Sequence, residues 1–158
     1  KILLALVALV CVSTLSAQDY KNSIGLRIGY GAELQYERHF SSENYLEANL
    51  GLYGFGNHFD LNATYNWNLC EWDWTPSAGQ WFLDAGVGVN VGGHGKGLWC
   101  GVAGQAKFGI KFSAAPIRLS VDWTPVFGPG FLYTKDASHC GFPSLNIANF
   151  GVSATYCF

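Results

Sequence analysis

The fold of this chain is indicated most directly by residues 150–158, FGVSATYCF. Large or apolar residues alternate there with small or polar ones, and a period of two is that of a β-strand with one apolar and one polar face. Chain ends fray in most soluble domains unless they are tied down. An alternating strand in this place is therefore expected if its apolar face contacts lipid and the strand closes a barrel.

The composition favours an all-β protein whose outer surface is not wholly in water. The 158 residues have the length of one domain. Charged residues make up 13% of the chain, about half the usual share, whereas aromatic residues reach 16% and there are 20 glycines. The net charge is -2 and the nine Lys and Arg residues are scattered, so the sequence carries no signal for binding nucleic acid.

Residues 1–17 have the layout of a secretory signal peptide. Lys1 precedes an apolar run from Ile2 to Val12, which is too short to span a bilayer as a helix, and small and polar residues follow. We expect cleavage after Ala17, which leaves residues 18–158 as one β-barrel domain. The alternative is that the apolar run forms an N-terminal strand or helix of the core.

Seven stretches before the last strand alternate with the same period, and no stretch shows helical periodicity. The predicted strands are residues 24–30, 33–40, 46–53, 59–69, 81–91, 102–112, 117–124 and a last strand that starts near residue 145. We predict long loops at Cys70 to Gly79 and Pro125 to Pro143, and a bulge at Ala148 to Phe150. Eight alternating strands with aromatic residues near their ends are typical of a transmembrane β-barrel.

A water-soluble barrel of the lipocalin or streptavidin type also alternates, but its apolar face points inward. The low charge favours the opposite arrangement, because a soluble exterior needs about a quarter or more of charged residues. The polar faces here carry mostly Gly, Asn, Ser, Thr and Gln, which suit the crowded interior of a narrow barrel. The direction of Val87, Val89 and Val91 distinguishes the two arrangements.

Eight charged side chains lie on the polar faces of the predicted strands. They are expected in the lumen: Arg27, Glu37, Glu47, Asp84, Lys107, Lys111, Arg118 and Asp122. Their mixed signs allow either an ion path or ligand site, or a network of salt bridges and hydrogen bonds that neutralises buried charge. We favour the network, because an eight-stranded barrel is filled by its own side chains.

The sequence predicts no catalytic residue, no metal site and no cofactor. The four histidines have no i, i+2 or i, i+4 spacing of the kind that indicates zinc: His39, His58, His94 and His139. A serine hydrolase needs a serine beside a histidine and an acid. The one Ser/His pair that is adjacent in the sequence is Ser138-His139, close to Asp136. Adjacent residues rarely point at each other, so this pair is a weak candidate for catalysis.

The signal peptide, the eight strands and the ending Thr155-Tyr156-Cys157-Phe158 resemble a known family. They are similar to the small outer-membrane β-barrel proteins of Gram-negative bacteria, of the OmpA/OmpX-like kind, over about residues 18–158. In that family a terminal Phe, with a second aromatic residue two positions earlier, belongs to the signal read by the barrel-assembly machinery. Phe158 and Tyr156 occupy these places, whereas the glycine that the family prefers five residues before the end is Ser153 here.

The resemblance implies an eight-stranded, antiparallel, up-and-down transmembrane barrel in the outer membrane. Its expected role is structural or in surface interaction, with a filled or very narrow lumen and with outer-membrane lipid as its surroundings. The barrel-assembly machinery is the expected partner during biogenesis, and Pro125 to Pro143 is the expected contact segment for external ligands. Two alternatives remain: a surface lipid-modifying barrel enzyme, and a soluble lipocalin-like barrel that binds an apolar ligand.

Export permits disulfides, and four cysteines follow the signal peptide. The family places both chain ends on the periplasmic side of the membrane. With that orientation, Cys100 and Cys140 fall on the outer side, whereas Cys70 and Cys157 fall near the inner side. We hypothesise disulfides between Cys100 and Cys140 and between Cys70 and Cys157.

Overall fold

The computed structural model describes residues 20–53, 58–95, 97–134 and 137–158; within these ranges it leaves the side chains of residues 53, 130 and 132–145 undescribed. The predicted signal peptide lies outside the described residues, which form ten β-strands. The strands are β1 Asn22–Ile28, β2 Ala32–His39, β3 Asn44–Tyr53, β4 His58–Thr75, β5 Gly79–His94, β6 Gly97–Phe112, β7 Ile117–Trp123, β8 Val126–Thr134, β9 Ala137–Asn146 and β10 Phe150–Cys157. In the described part of the chain, no helix has the length and apolar character needed to cross a membrane.

Eight of these strands close an antiparallel barrel in the order β1-β2-β3-β4-β5-β6-β7-β10, with β10 returning to β1. The closing pair runs from Ser23 opposite Cys157 to Ile28 opposite Val152. Beyond it, the backbone N–H of Phe158 donates to the carbonyl of Asn22 at 2.8 Å. The predicted all-β class and eight-stranded closure, last strand against first, are confirmed. We call the end near Phe158 the inner end and the opposite end the outer end.

The segment Pro125 to Pro143 is not the loop that the sequence predicted. It forms β8 and most of β9, a hairpin that continues past β7 and pairs with the first half of β6, from Gly97 to Ala103. Proline has no N–H, so Pro125 interrupts the ladder, yet its carbonyl still accepts from the backbone N–H of Gly104 at 2.9 Å. The interruption between β9 and β10 lies at residues 147–149, where a bulge was predicted.

The predicted loop from Cys70 to Gly79 is also wrong, because β4 continues to Thr75 and leaves a turn of residues 76–78. A register shift between Asn68 and Cys70 explains the error. One extra residue at such a bulge exchanges the inward and outward positions of everything that follows. The alternation of apolar and polar residues therefore shifts by one position in the sequence, although the strand itself continues.

The apolar side chains point out of the barrel and the polar ones point in. Val87, Val89 and Val91 are 56%, 60% and 43% exposed, whereas Arg27 and Glu47 are 1% and 0% exposed. We call the outward rows the apolar belt: Ile24, Leu26, Ile28, Leu34, Leu46, Leu50, Leu61, Val87, Val89, Val91, Val102, Leu119, Val121 and Val152. The interior of the described barrel is thus unlike the apolar cavity that a lipocalin-like ligand would need.

Aromatic side chains flank the apolar belt at both ends. At the inner end the rings of Trp81 and Phe108 stack with centroids 5.4 Å apart, and those of Tyr156 and Phe158 with centroids 6.5 Å apart. At the outer end Trp123 stacks on Phe150, and its indole N–H donates to the carbonyl of Ile147 at 2.6 Å. Trp81, Trp123, Tyr156 and Phe158 lie near strand ends, as the sequence predicts.

Neither predicted disulfide is formed, since the thiols of Cys70, Cys100 and Cys157 are free. Cys70 is exposed and Cys157 is buried in the interior, so their sulfur atoms lie on opposite faces of the barrel wall. Cys140 has its side chain outside the described part of the chain. Strand β8 separates its backbone from that of Cys100, and two strand spacings of about 4.8 Å exceed the Cα separation that a disulfide bridges.

A substitution at Gly25 tests the pairing of β1 with β10 that closes the barrel. A β-carbon there would collide with the carbonyl oxygen of Ala154 and lie 2.5 Å from Cγ2 of Thr155, both on β10. We expect Gly25→Val to lower the free energy of unfolding by about 1–3 kcal/mol, as overpacking does. Urea unfolding in detergent micelles, followed by tryptophan fluorescence, measures this. Gly97→Ala is the control, because its nearest atom is 3.4 Å away; equal losses in both variants would contradict the closure.

Candidate functional site in the barrel interior

A cluster of five charged side chains fills the inner half of the lumen, and we call it the inner cluster. The ammonium of Lys107 lies 3.1 Å from Oε1 of Glu37 and pairs more closely with Glu47. The guanidinium of Arg118 reaches the other oxygen of Glu37 at 3.0 Å and Oδ2 of Asp84 at 2.8 Å. Strands β2, β3, β5, β6 and β7 each supply one of these residues, so the cluster ties together much of the barrel wall.

Neutral donors complete the hydrogen bonding of these carboxylates. The Tyr45 hydroxyl donates to Asp84 at 2.7 Å. Glu47 accepts from the side-chain amides of Asn49 at 2.7 Å and Gln105 at 2.8 Å. Buried carboxylates need such partners, because an ionised group without them is costly away from water.

A second group, the outer cluster, is centred on Arg27. Its Nε donates to Asp122 at 2.5 Å and its Nη1 to Glu33 at 2.7 Å. Its Nη2 donates to the side-chain oxygen of Asn149 at 3.2 Å, and the Ser153 hydroxyl donates to the second oxygen of Asp122 at 2.6 Å. The cluster thus links β1, β2, β7 and β10 at the seam where the barrel closes.

Lys111 is the one predicted lumen residue that lies elsewhere. It is exposed at the inner mouth, because it is close to the end of β6, and its ammonium lies 4.5 Å from the ring centre of Tyr20. Both residues line a cleft of about 550 Å³ at this mouth, together with His39. Burial raises the pKa of the Tyr20 phenol, so it stays protonated in this cleft.

The ion pairs of the described interior hold more negative than positive charge. They join five carboxylates to three Lys and Arg side chains, which leaves two negative charges when His39, 3.4 Å from Glu37, is neutral. The neutral donors around the carboxylates offset part of this excess. This excess of negative charge among the ion-paired residues favours cations over anions near them.

Trp99 lies at the outer end of the lumen. Its indole lies across Gly92, where a β-carbon would collide with the ring, and its N–H donates to Oδ1 of Asn90 at 2.9 Å. The amide of Asn90 donates in turn to Asp60 at 2.8 Å. These side chains line a cleft of about 520 Å³, which we call the outer cleft.

Two histidines meet beside the outer cleft. The register of β4 and β5 places His58 directly opposite His94, with ring centroids 4.8 Å apart. The edge of the His58 ring also packs against Trp99 at 5.2 Å. Burial and the proximity of His94 lower the pKa of His58, which favours the neutral ring.

Sequence spacing missed this pair because the two residues belong to different strands. The signal is the alternation of the two strands. Extended back to residue 58 and forward to residue 94, it puts both histidines on the inward face, and the register of the two strands then sets them opposite each other. The register itself depends on the bulge after Asn68, which the sequence pattern did not reveal. Among the residues described, no three His, Cys, Asp or Glu side chains converge to hold a metal ion.

The Ser/His candidate for catalysis falls largely outside the description. Asp136 is not described, and Ser138 and His139 are described only by their backbone in β9. In that strand the two residues pair with Tyr133 and Leu132, respectively. Successive residues of a strand point to opposite faces, so this backbone does not favour contact between their side chains.

Comparison with known proteins gives no assignment. No protein-family model, curated protein or solved structure matches the chain. The resemblance to small outer-membrane barrels therefore stays a prediction, and support for a function comes from the geometry of the barrel and its side chains.

A substitution at Lys107 tests the charge compensation within the inner cluster. Lys107→Met leaves Glu47 without its cation and Glu37 with one cation fewer. Because an uncompensated buried charge remains, we expect the free energy of unfolding to fall by about 3–5 kcal/mol in micelles. Lys111→Met removes an exposed charge at the mouth and should change it by about 0.5 kcal/mol or less. Similar losses in the two variants would show that Glu37 and Glu47 do not depend on Lys107 to offset their buried charge.

Proposed function

We propose that the chain is an outer-membrane β-barrel protein with a structural or surface-interaction role and no catalytic one. The observation that carries this is the exposed apolar belt around a closed barrel whose interior is polar and charged. In water such a surface would favour aggregation, whereas in lipid it is the expected exterior. Closure suits lipid too, because no strand edge of a spanning segment can stay unpaired there.

The aromatic residues support the same location. Rings at both ends of the apolar belt are typical of side chains that sit at the two membrane interfaces. On the inner side these include Trp81, Phe108 and Phe158, and on the outer side Trp123 and Phe150. Arrival in the outer membrane through a signal peptide at residues 1–17 and the barrel-assembly machinery is part of the proposal.

The filled lumen favours a structural role over that of a wide channel. The inner and outer clusters cross the lumen from wall to wall, and the Trp99 indole occupies part of the outer end. Eight strands enclose an interior that side chains can fill, as they do here. Beyond the belt, the β8–β9 hairpin prolongs the sheet at the outer end and supplies the surface that we propose for contacts with external ligands.

A charge on the apolar belt distinguishes lipid from water as the surroundings. Val87 lies midway along the outward row of β5 and is 56% exposed. In lipid vesicles we expect Val87→Lys to lower the free energy of unfolding by about 2–4 kcal/mol, the cost of a lysine near the bilayer midplane. Ser113→Lys, in the exposed inner turn, is the control and should have little effect. A folded, detergent-free soluble protein that tolerates both substitutions equally would exclude the membrane location.

Vesicle permeability tests the filled lumen. Vesicles that contain the purified protein should swell in an isotonic pentose solution no faster than protein-free vesicles, because the two clusters and Trp99 obstruct the path. A large-channel porin in the same lipid serves as the positive control. Fast swelling with the native protein would contradict a filled lumen while leaving the membrane location intact.

A further inference from the structure

We infer that His58 and His94 form a binding site for a divalent transition-metal ion such as Cu²⁺, Ni²⁺ or Zn²⁺ at the outer end of the barrel. The two rings face each other across β4 and β5, with centroids 4.8 Å apart. An imidazole bound to such an ion has its nitrogen about 2.0–2.1 Å from the metal. Two rings on one ion, at an angle near that of square or tetrahedral geometry, have centroids about 5 Å apart. The observed spacing fits this arrangement.

The ligand type selects the class of ion. Imidazole nitrogen suits copper, nickel and zinc, whereas magnesium and calcium prefer oxygen ligands. With two protein ligands, water completes the coordination, and the outer cleft beside His58 has room for it. Asp60, two residues further along the same face of β4, lines that cleft and adds a negative charge that favours a cation.

The surroundings hold the His58 ring in place before an ion arrives. Trp99 packs edge-on against it at 5.2 Å, and the indole is itself fixed by its hydrogen bond to Asn90 and by close contact with Gly92. The paired backbones of β4 and β5 fix the position of His94 opposite. A site whose ligands are already positioned loses less conformational freedom on binding.

Copper titration of the purified full chain, prepared without a histidine tag, tests the site. Cu²⁺ bound next to Trp99 should quench part of the tryptophan fluorescence, and its electron paramagnetic resonance spectrum should show two imidazole nitrogens. We expect one strong site per chain, while Ca²⁺ and Mg²⁺ should neither quench nor compete. No saturable copper binding, or equal binding of calcium, would overturn the inference.

Single substitutions locate the ion. His58→Ala and His94→Ala should each weaken copper binding at least about tenfold, a loss seen even when a second-shell partner is removed. His39→Ala at the inner mouth and His139→Ala in β9 are the controls and should bind as the native chain does. Binding that survives both outer substitutions, or that depends on His139, would reject the His58–His94 site. Unchanged urea unfolding of each variant shows that the barrel is intact, and the result does not depend on where the protein resides in the cell.

Discussion

Hydrogen bonding between β1 and β10 is the interaction on which the rest of the barrel depends. It turns an eight-stranded sheet into a ring, which leaves the strands of that ring paired on both sides. A ring of eight strands is narrow, so every inward side chain must share the space with those across from it. The small inward residues Gly25 and Ser153 near the seam, and Arg27 packed over Gly151, show how the sequence meets this constraint.

Because the ring is narrow, charges from distant parts of the chain are forced into contact. Glu37 on β2 meets Lys107 on β6 and Arg118 on β7, which lie 70 and 81 residues further along the chain. Such pairs contribute little net stability, since removing charges from water costs about as much as their attraction returns. Their effect is on specificity: a slip of one residue in any strand would turn its charge toward the apolar belt and break the network. The interior therefore selects the register.

The sequence predicts what depends on the period of two. The strands, their outward and inward faces, and seven of the eight lumen charges are where the alternation placed them. It does not predict what depends on a change of phase or on pairing between strands. The bulge after Asn68 obscures the second half of β4, and Pro125 predicts a loop where β8 begins at Val126. The Cys70–Cys157 pairing is wrong because the sequence pattern indicates the end of the barrel at which each cysteine lies, but the bulge after Asn68 changes the face of the wall on which Cys70 lies.

The outer cleft exists because the barrel is uneven at that end. On one side β1 stops at Ile28 and returns through a short turn, while on the other β6 continues to Gly97 and carries the β8–β9 hairpin. Tyr30 from the low side and Trp99 from the high side thus line one opening. The long β5–β6 hairpin raises the high side, and the pairing of β4 with β5 places His58 opposite His94 near the outer tip of that hairpin. Strand β5 continues past residue 91 and β6 begins before residue 102, beyond the predicted strands, and these extensions supply Trp99 to the cleft and His94 to the pair of imidazoles beside it.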